Sequence, residues 1–100
     1  MAQLLGELTE VGTLNTDIIT RHEHHKIIVV VSNYVSDVSF KVEDISFGES
    51  NPINLNGANG TKTLDGNEAW SFLIENERFN KLRANFVSGD ATLNIYYEGW

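Results

Sequence analysis

One hundred residues with 41% hydrophobic content make one globular domain with a modest core, and too little chain for two. The chain has no cysteine, so disulfides, thiolate metal sites and thiol catalysis are excluded. Fourteen acids against seven bases give a net charge of −7, which repels phosphate backbones and anionic bilayers and sets aside nucleic acid and membrane as partners.

Met1 to Glu10 carries two glutamates and no basic residue, unlike a secretory signal. Leu4, Leu5 and Leu8 have helical spacing, but Gly6 and Gly12 interrupt it, so Met1 to Gly12 reads as an extended arm or edge strand. Thr16 to Thr20 is a short β-branched segment. Lys26 to Tyr34 contains Ile27-Ile28-Val29-Val30-Val31, the longest apolar run, too short for a bilayer and best suited to a strand buried on both faces. From Asp37 to Phe47, Val38, Phe40 and Val42 alternate with Ser39, Lys41 and Glu43, predicting one packed and one wet face.

Gly48 to Gly60 changes character. Asn51-Pro52, Asn56-Gly57 and Asn59-Gly60 are turn pairs, with room for a short strand over Ile53 to Leu55. Thr61 to Leu64 reads as a strand closed by an Asp65-Gly66 turn. In Ala69 to Glu75, Trp70, Phe72 and Ile74 share a face and are expected in the core, and Asn76 to Asn80 is a polar corner carrying Phe79. Leu82, Ala84 and Phe86 then alternate with polar neighbours, as do Leu93, Ile95 and Tyr97 after Ser88-Gly89-Asp90. That pattern predicts a β-hairpin over Lys81 to Tyr97. The sum is an all-β, antiparallel β-sandwich of seven to eight short strands, jelly-roll-like or immunoglobulin-like, with no long helix and residues 1–100 in a single domain.

Three features bear on chemistry. All three histidines fall in Arg21-His22-Glu23-His24-His25-Lys26; on a strand His22 and His24 share a face, a workable start for a metal site that would still need further ligands. The bland alternative is a solvated strand end. The Asn- and Gly-rich stretch from Asn51 to Asn67 lacks the alternating acids of a calcium loop and reads as turn chemistry. Asn59-Gly60-Thr61 matches a glycosylation acceptor. No Gly-x-Ser-x-Gly elbow and no Walker or Rossmann glycine pattern occurs, so no catalytic residue, enzyme activity or cofactor is expected. Tyr96, on the wet side of the last strand, and Trp100 suit an interface, or a sugar-stacking platform with the Asn51–Asn67 loop.

The stretch Phe79 to Tyr97, with its aromatic-led basic strand, glycine-containing turn and Thr-Leu-Asn-Ile-Tyr-Tyr strand, resembles the closing hairpin of small β-sandwich virion proteins of tailed bacteriophages, of the capsid decoration, head-fibre or tail-associated type. The resemblance implies a structural protein in the virion that contacts other capsid or tail proteins in repeated copies, as a homo-oligomer. Tyr96, Trp100, Arg83, Leu4 and Leu5 are the expected interface residues. A carbohydrate-binding module recognising host-surface glycans is the rival expectation.

Overall fold

The computed structural model describes residues 2–18, 22–56, 60–75 and 78–100. The expected turns at Asn56-Gly57 and Asn59-Gly60, the glycosylation acceptor Asn59, Met1 of the arm, Arg21 of the histidine cluster, the Ile19-Thr20 end of the second segment and the Asn76-Glu77 corner involve positions outside these residues. The described residues form strands and turns and no helix: β1 (Gln3–Leu8), β2 (Gly12–Asp17), β3 (His25–Asp44), β4 (Ile53–Asn54), β5 (Lys62–Leu64), β6 (Ala69–Ile74) and β7 (Lys81–Gly99). All pairings are antiparallel and all seven strands belong to one sheet.

Two long strands, β3 and β7, run beside each other as the spine. On the far side of β7, β1 pairs with residues 93–97 and β2 with residues 81–86. On the far side of β3, β6 pairs with residues 25–30, β5 with residues 38–40 and β4 with Glu43 and Asp44. The chain breaks stride at the same level in all three ribbons: between β1 and β2, at residues 32–39 of β3, and at residues 87–90 of β7.

The burial pattern records that break. In β7 the buried positions are Leu82, Ala84 and Phe86, then Ala91, Leu93, Ile95 and Tyr97; in β3 they are Ile27, Val29 and Val31, then Val38, Phe40 and Val42. Each strand switches from one parity to the other at the bend, as a strand must when it turns a corner and keeps its apolar side inward. Both halves then supply one core cluster, joined by Ile18, Leu64, Phe72, Ile74 and Phe79, and the molecule measures 36 × 30 × 19 Å.

Three expectations change. The hairpin over Lys81 to Tyr97 is one continuous strand: Ser88-Gly89-Asp90 bends β7 instead of reversing it, because Phe86 pairs with Phe40 and Leu93 with Val31. The two expected strands Lys26–Tyr34 and Asp37–Phe47 likewise merge into β3, whose Ile28 and Val30 are only half-buried rather than enclosed on both faces. Trp70 is not core: it is 41% exposed, with the Lys62 ammonium 3.6 Å from its ring centroid. The arm over Met1–Gly12 becomes edge strand β1 and the first residue of β2.

Candidate functional site: the outer face of the sheet

The inward face of the sheet is filled by the core, so its chemistry toward partners lies on the outward face. On the half containing β1 and β6, register fixes the rows. Leu4 lies beside Tyr96, Tyr96 beside Ile28, and Ile28 beside Ser71. One row along, Glu98 faces Lys26, which faces Leu73; on the other side, Glu7 faces Asn94, then Val30, then Ala69. Leu4 and Leu73 are 52% and 64% exposed, and Tyr96, Ile28 and Val30 are half-buried. The result is an aliphatic and aromatic surface with three glutamates and one lysine around it (Glu75 included, beyond Leu73).

Trp100 continues this face. Its backbone exchanges hydrogen bonds with His24 (N–H to carbonyl, 3.0 and 3.1 Å), and the His24 ring stacks on the indole at 5.5 Å and 24°. The other side of His24 is taken by Glu75, with 3.0 Å from Nδ1 to Oε2.

The three histidines therefore have three different settings. His22 lies 6.4 Å from the Tyr97 ring and close over Gly99, where a Cβ would come within 2.3 Å of the imidazole. His25 is 1% exposed, with Nδ1 2.6 Å from the Tyr97 hydroxyl and Phe79 packed edge-on at 5.3 Å. Burial raises the pKa of the Tyr97 phenol. Among the described residues, no three His, Asp or Glu side chains gather in a way that could hold a metal ion.

Arg83 sits on the outward face of the other half. Glu43, only 4% exposed, accepts hydrogen bonds from Arg83 Nε (3.0 Å), Arg83 Nη2 (3.3 Å) and Asn85 Nδ2 (2.9 Å), and Lys41 Nζ stands 3.7 Å away. The guanidinium holds the Glu43 carboxyl below its ordinary range, and the carboxylate in turn raises the pKa of Arg83. These residues, with Thr13, Asn15, Glu49 and Val87, line a shallow groove of about 560 Å³.

Of the expected interface residues, Leu4 and Tyr96 are thus direct neighbours, and Trp100 shares their half of the sheet. Arg83 belongs to the other half, and Leu5 packs against the core at the bulge between Leu4 and Gly6. Ile28, Val30 and Leu73 were missed as surface, since the first two sit inside an apolar run and only the one-sided burial of β3 exposes them. The buried role of Glu43 was missed too; its alternation with Val42 showed only that it faces outward.

Fold and surface together define an all-β protein with one antiparallel sheet bent around its own core, whose outer face is partly apolar on one half and polar on the other. No family model matches the chain, and no curated protein matches it. Among solved structures, the crystal structure of PirA is similar over 97% of this chain and 93% of that one, with 9% sequence identity and a TM-score of 0.52. That likeness is one of fold.

Proposed function

We propose that this chain is a non-catalytic structural protein that binds other proteins through the outer face of its sheet, as a component of a phage particle of the capsid decoration or tail-associated kind. The observation that carries the binding role is the row Leu4–Tyr96–Ile28, extended by Val30 and Leu73, with Trp100 beyond the Glu98–Lys26 row. Apolar surface of this sort, exposed at Leu4 and Leu73 and half-buried between them, with polar groups at its rim, marks interaction sites. Charge narrows the partner. Glu7, Glu75 and Glu98 outnumber Lys26 around the patch, in a chain of net charge −7, so the matching surface is apolar with a rim of lysine or arginine. Two copies apposed through this face would set acid against acid, so repeated copies are held by the particle. The phage setting is supported by the sequence resemblance of Phe79 to Tyr97 alone, now a bent strand and not a closing hairpin.

The test is a photo-crosslinking residue at Leu73 in the native cell, with adducts identified by mass spectrometry. Adducts to particle proteins, lost on Leu4→Lys, are expected. A chain that yields no protein adduct is not a binding component, and adducts to proteins outside any particle would remove the phage setting.

A second reading draws on the groove. Thr13, Asn15, Arg83 and Asn85 mix hydrogen-bond donors and acceptors, and Lys41 with Arg83 balances Glu43 with Glu49. Such a surface suits a neutral polyhydroxylated ligand, in keeping with glycan binding, although Tyr96 and Trp100 lie on the other half of the sheet. Titration with neutral host-surface polysaccharides, with Asn15→Ala as the control, decides it; unchanged spectra throughout would eliminate it.

A further inference from the structure

The edges of the sheet differ in how they are protected against pairing. Strand β1 carries a bulge between Leu4 and Gly6, β2 ends on Asp17 with Asn15 tied to Glu49, and β4 and β5 are only two and three residues long. Bulges, charges and shortness are the usual guards of a free edge. Strand β6 has none of them. Its sequence, Ala69-Trp70-Ser71-Phe72-Leu73-Ile74, is uncharged, lacks proline and runs beside β3 without a register shift.

The direction of its backbone groups follows from one bond. Val31 N–H donates to the Glu68 carbonyl, and the register continues through Val29 with Trp70 and Ile27 with Phe72. In an antiparallel ladder, residues that bond to the partner alternate with residues that do not. Glu68, Trp70, Phe72 and Ile74 therefore point their backbone groups at β3. Ala69, Ser71 and Leu73 point theirs away, and among the described residues β6 pairs with no other strand; all three are exposed.

Glu68 and Glu75 flank the strand. Asp65 beside Glu68 raises its pKa, so the negative charge at that end is doubled. The Glu68 and Glu75 side chains, seven residues apart, lie on opposite faces of the strand, and a second copy would bring the same net charge of −7 to this edge, which disfavours it. We propose that β6 accepts an extended segment of a partner protein by strand addition, the segment being apolar on alternate residues with lysine or arginine at each end, opposite Glu68 and Glu75. This rests on the protein-binding role above and names the form in which the partner arrives.

The probe is a capped peptide, Lys-Val-Thr-Val-Thr-Val-Thr-Lys, long enough to set one lysine opposite each glutamate, against a twin with glutamate at both ends, followed by tryptophan fluorescence. The basic peptide should bind roughly tenfold or more tightly than its twin, and Ser71→Pro, which removes an outward N–H and leaves the β3 ladder intact, should weaken it by a similar factor. In the unaltered chain, amide exchange at Ala69, Ser71 and Leu73 should slow when the basic peptide is bound, which keeps the test valid should Ser71→Pro misfold. Equal binding of the two peptides, no binding at millimolar concentration, unchanged exchange, or a dimer that Ser71→Pro dissolves would each overturn strand addition. If Ser71→Pro keeps the crosslinked partner while Leu4→Lys loses it, the face binds without the edge; if both keep it, the face itself is not the site.

Discussion

Gly89 lies against the carbonyl of Asp37: a Cβ built on Gly89 would stand 2.0 Å from that oxygen and 2.8 Å from the Val38 Cα. This contact joins the two long strands where both bend. Gly89 also has φ +107°, a conformation that residues with a Cβ rarely adopt. Gly89→Ala meets both obstacles, and the obstructing atoms are backbone. We expect it to destabilise the fold by roughly 3 kcal/mol or more, read as a lower denaturation midpoint. A midpoint unchanged within error would show that the bend tolerates a side chain.

The Glu43–Arg83 pair gives the fold an acid sensitivity. The folded-state pKa of Glu43 is depressed below its ordinary 4.5, so its stabilisation is fully present above that value and is lost as the pH falls through the folded pKa. Glu43→Gln removes the charged hydrogen bonds, and with Arg83 partly solvated the cost at neutral pH is about 2 kcal/mol. The variant should lose less further stability than the wild type as the pH falls below 4.5. Parallel acid denaturation curves for the two proteins would count against the linkage.

Tyr97 and His25 form a second buried polar contact. Tyr97→Phe takes the hydroxyl from His25 Nδ1 inside the core, at an expected cost of about 1–2 kcal/mol. Nitrogen NMR of the imidazole gives an independent check: the His25 Nδ1 resonance should shift in the variant, and an unmoved resonance would mean the phenol does not bond it.

Tyr34 reports on the bend from the other strand. Its hydroxyl donates to the Asp37 carboxylate, and that bond raises the phenol pKa from 10.0 to about 12. Ring-carbon NMR across the alkaline range should resolve this late titration, and Asp37→Asn should return it toward 10.0. An ordinary titration in the wild type would show that Tyr34 leaves Asp37 in solution.

Much of the inward face was legible in the chain. Leu82, Ala84, Phe86, Leu93, Ile95 and Tyr97 follow a two-residue period, and all are buried. The change of parity between Phe86 and Ala91 was legible as well, but a turn and a corner leave the same mark. Local sequence sets which side of a strand is apolar; it does not say whether the chain beyond a Gly-containing break pairs with itself or with another strand. Leu4 and Tyr96 were foreseeable as interface residues, yet their adjacency needed the β1–β7 register. Leu73 needed the edge position of β6.

The sequence alone determined that this protein is β throughout and which residues alternate into its core, because side-chain period is a local property of the backbone. Tertiary structure decided that Lys81 to Gly99 is one bent strand, that Glu43 is buried beside Arg83, and that β6, among the described residues, pairs on one side only. Each depends on which strands lie side by side, and partners so distant along the chain are chosen by the packing of the whole core.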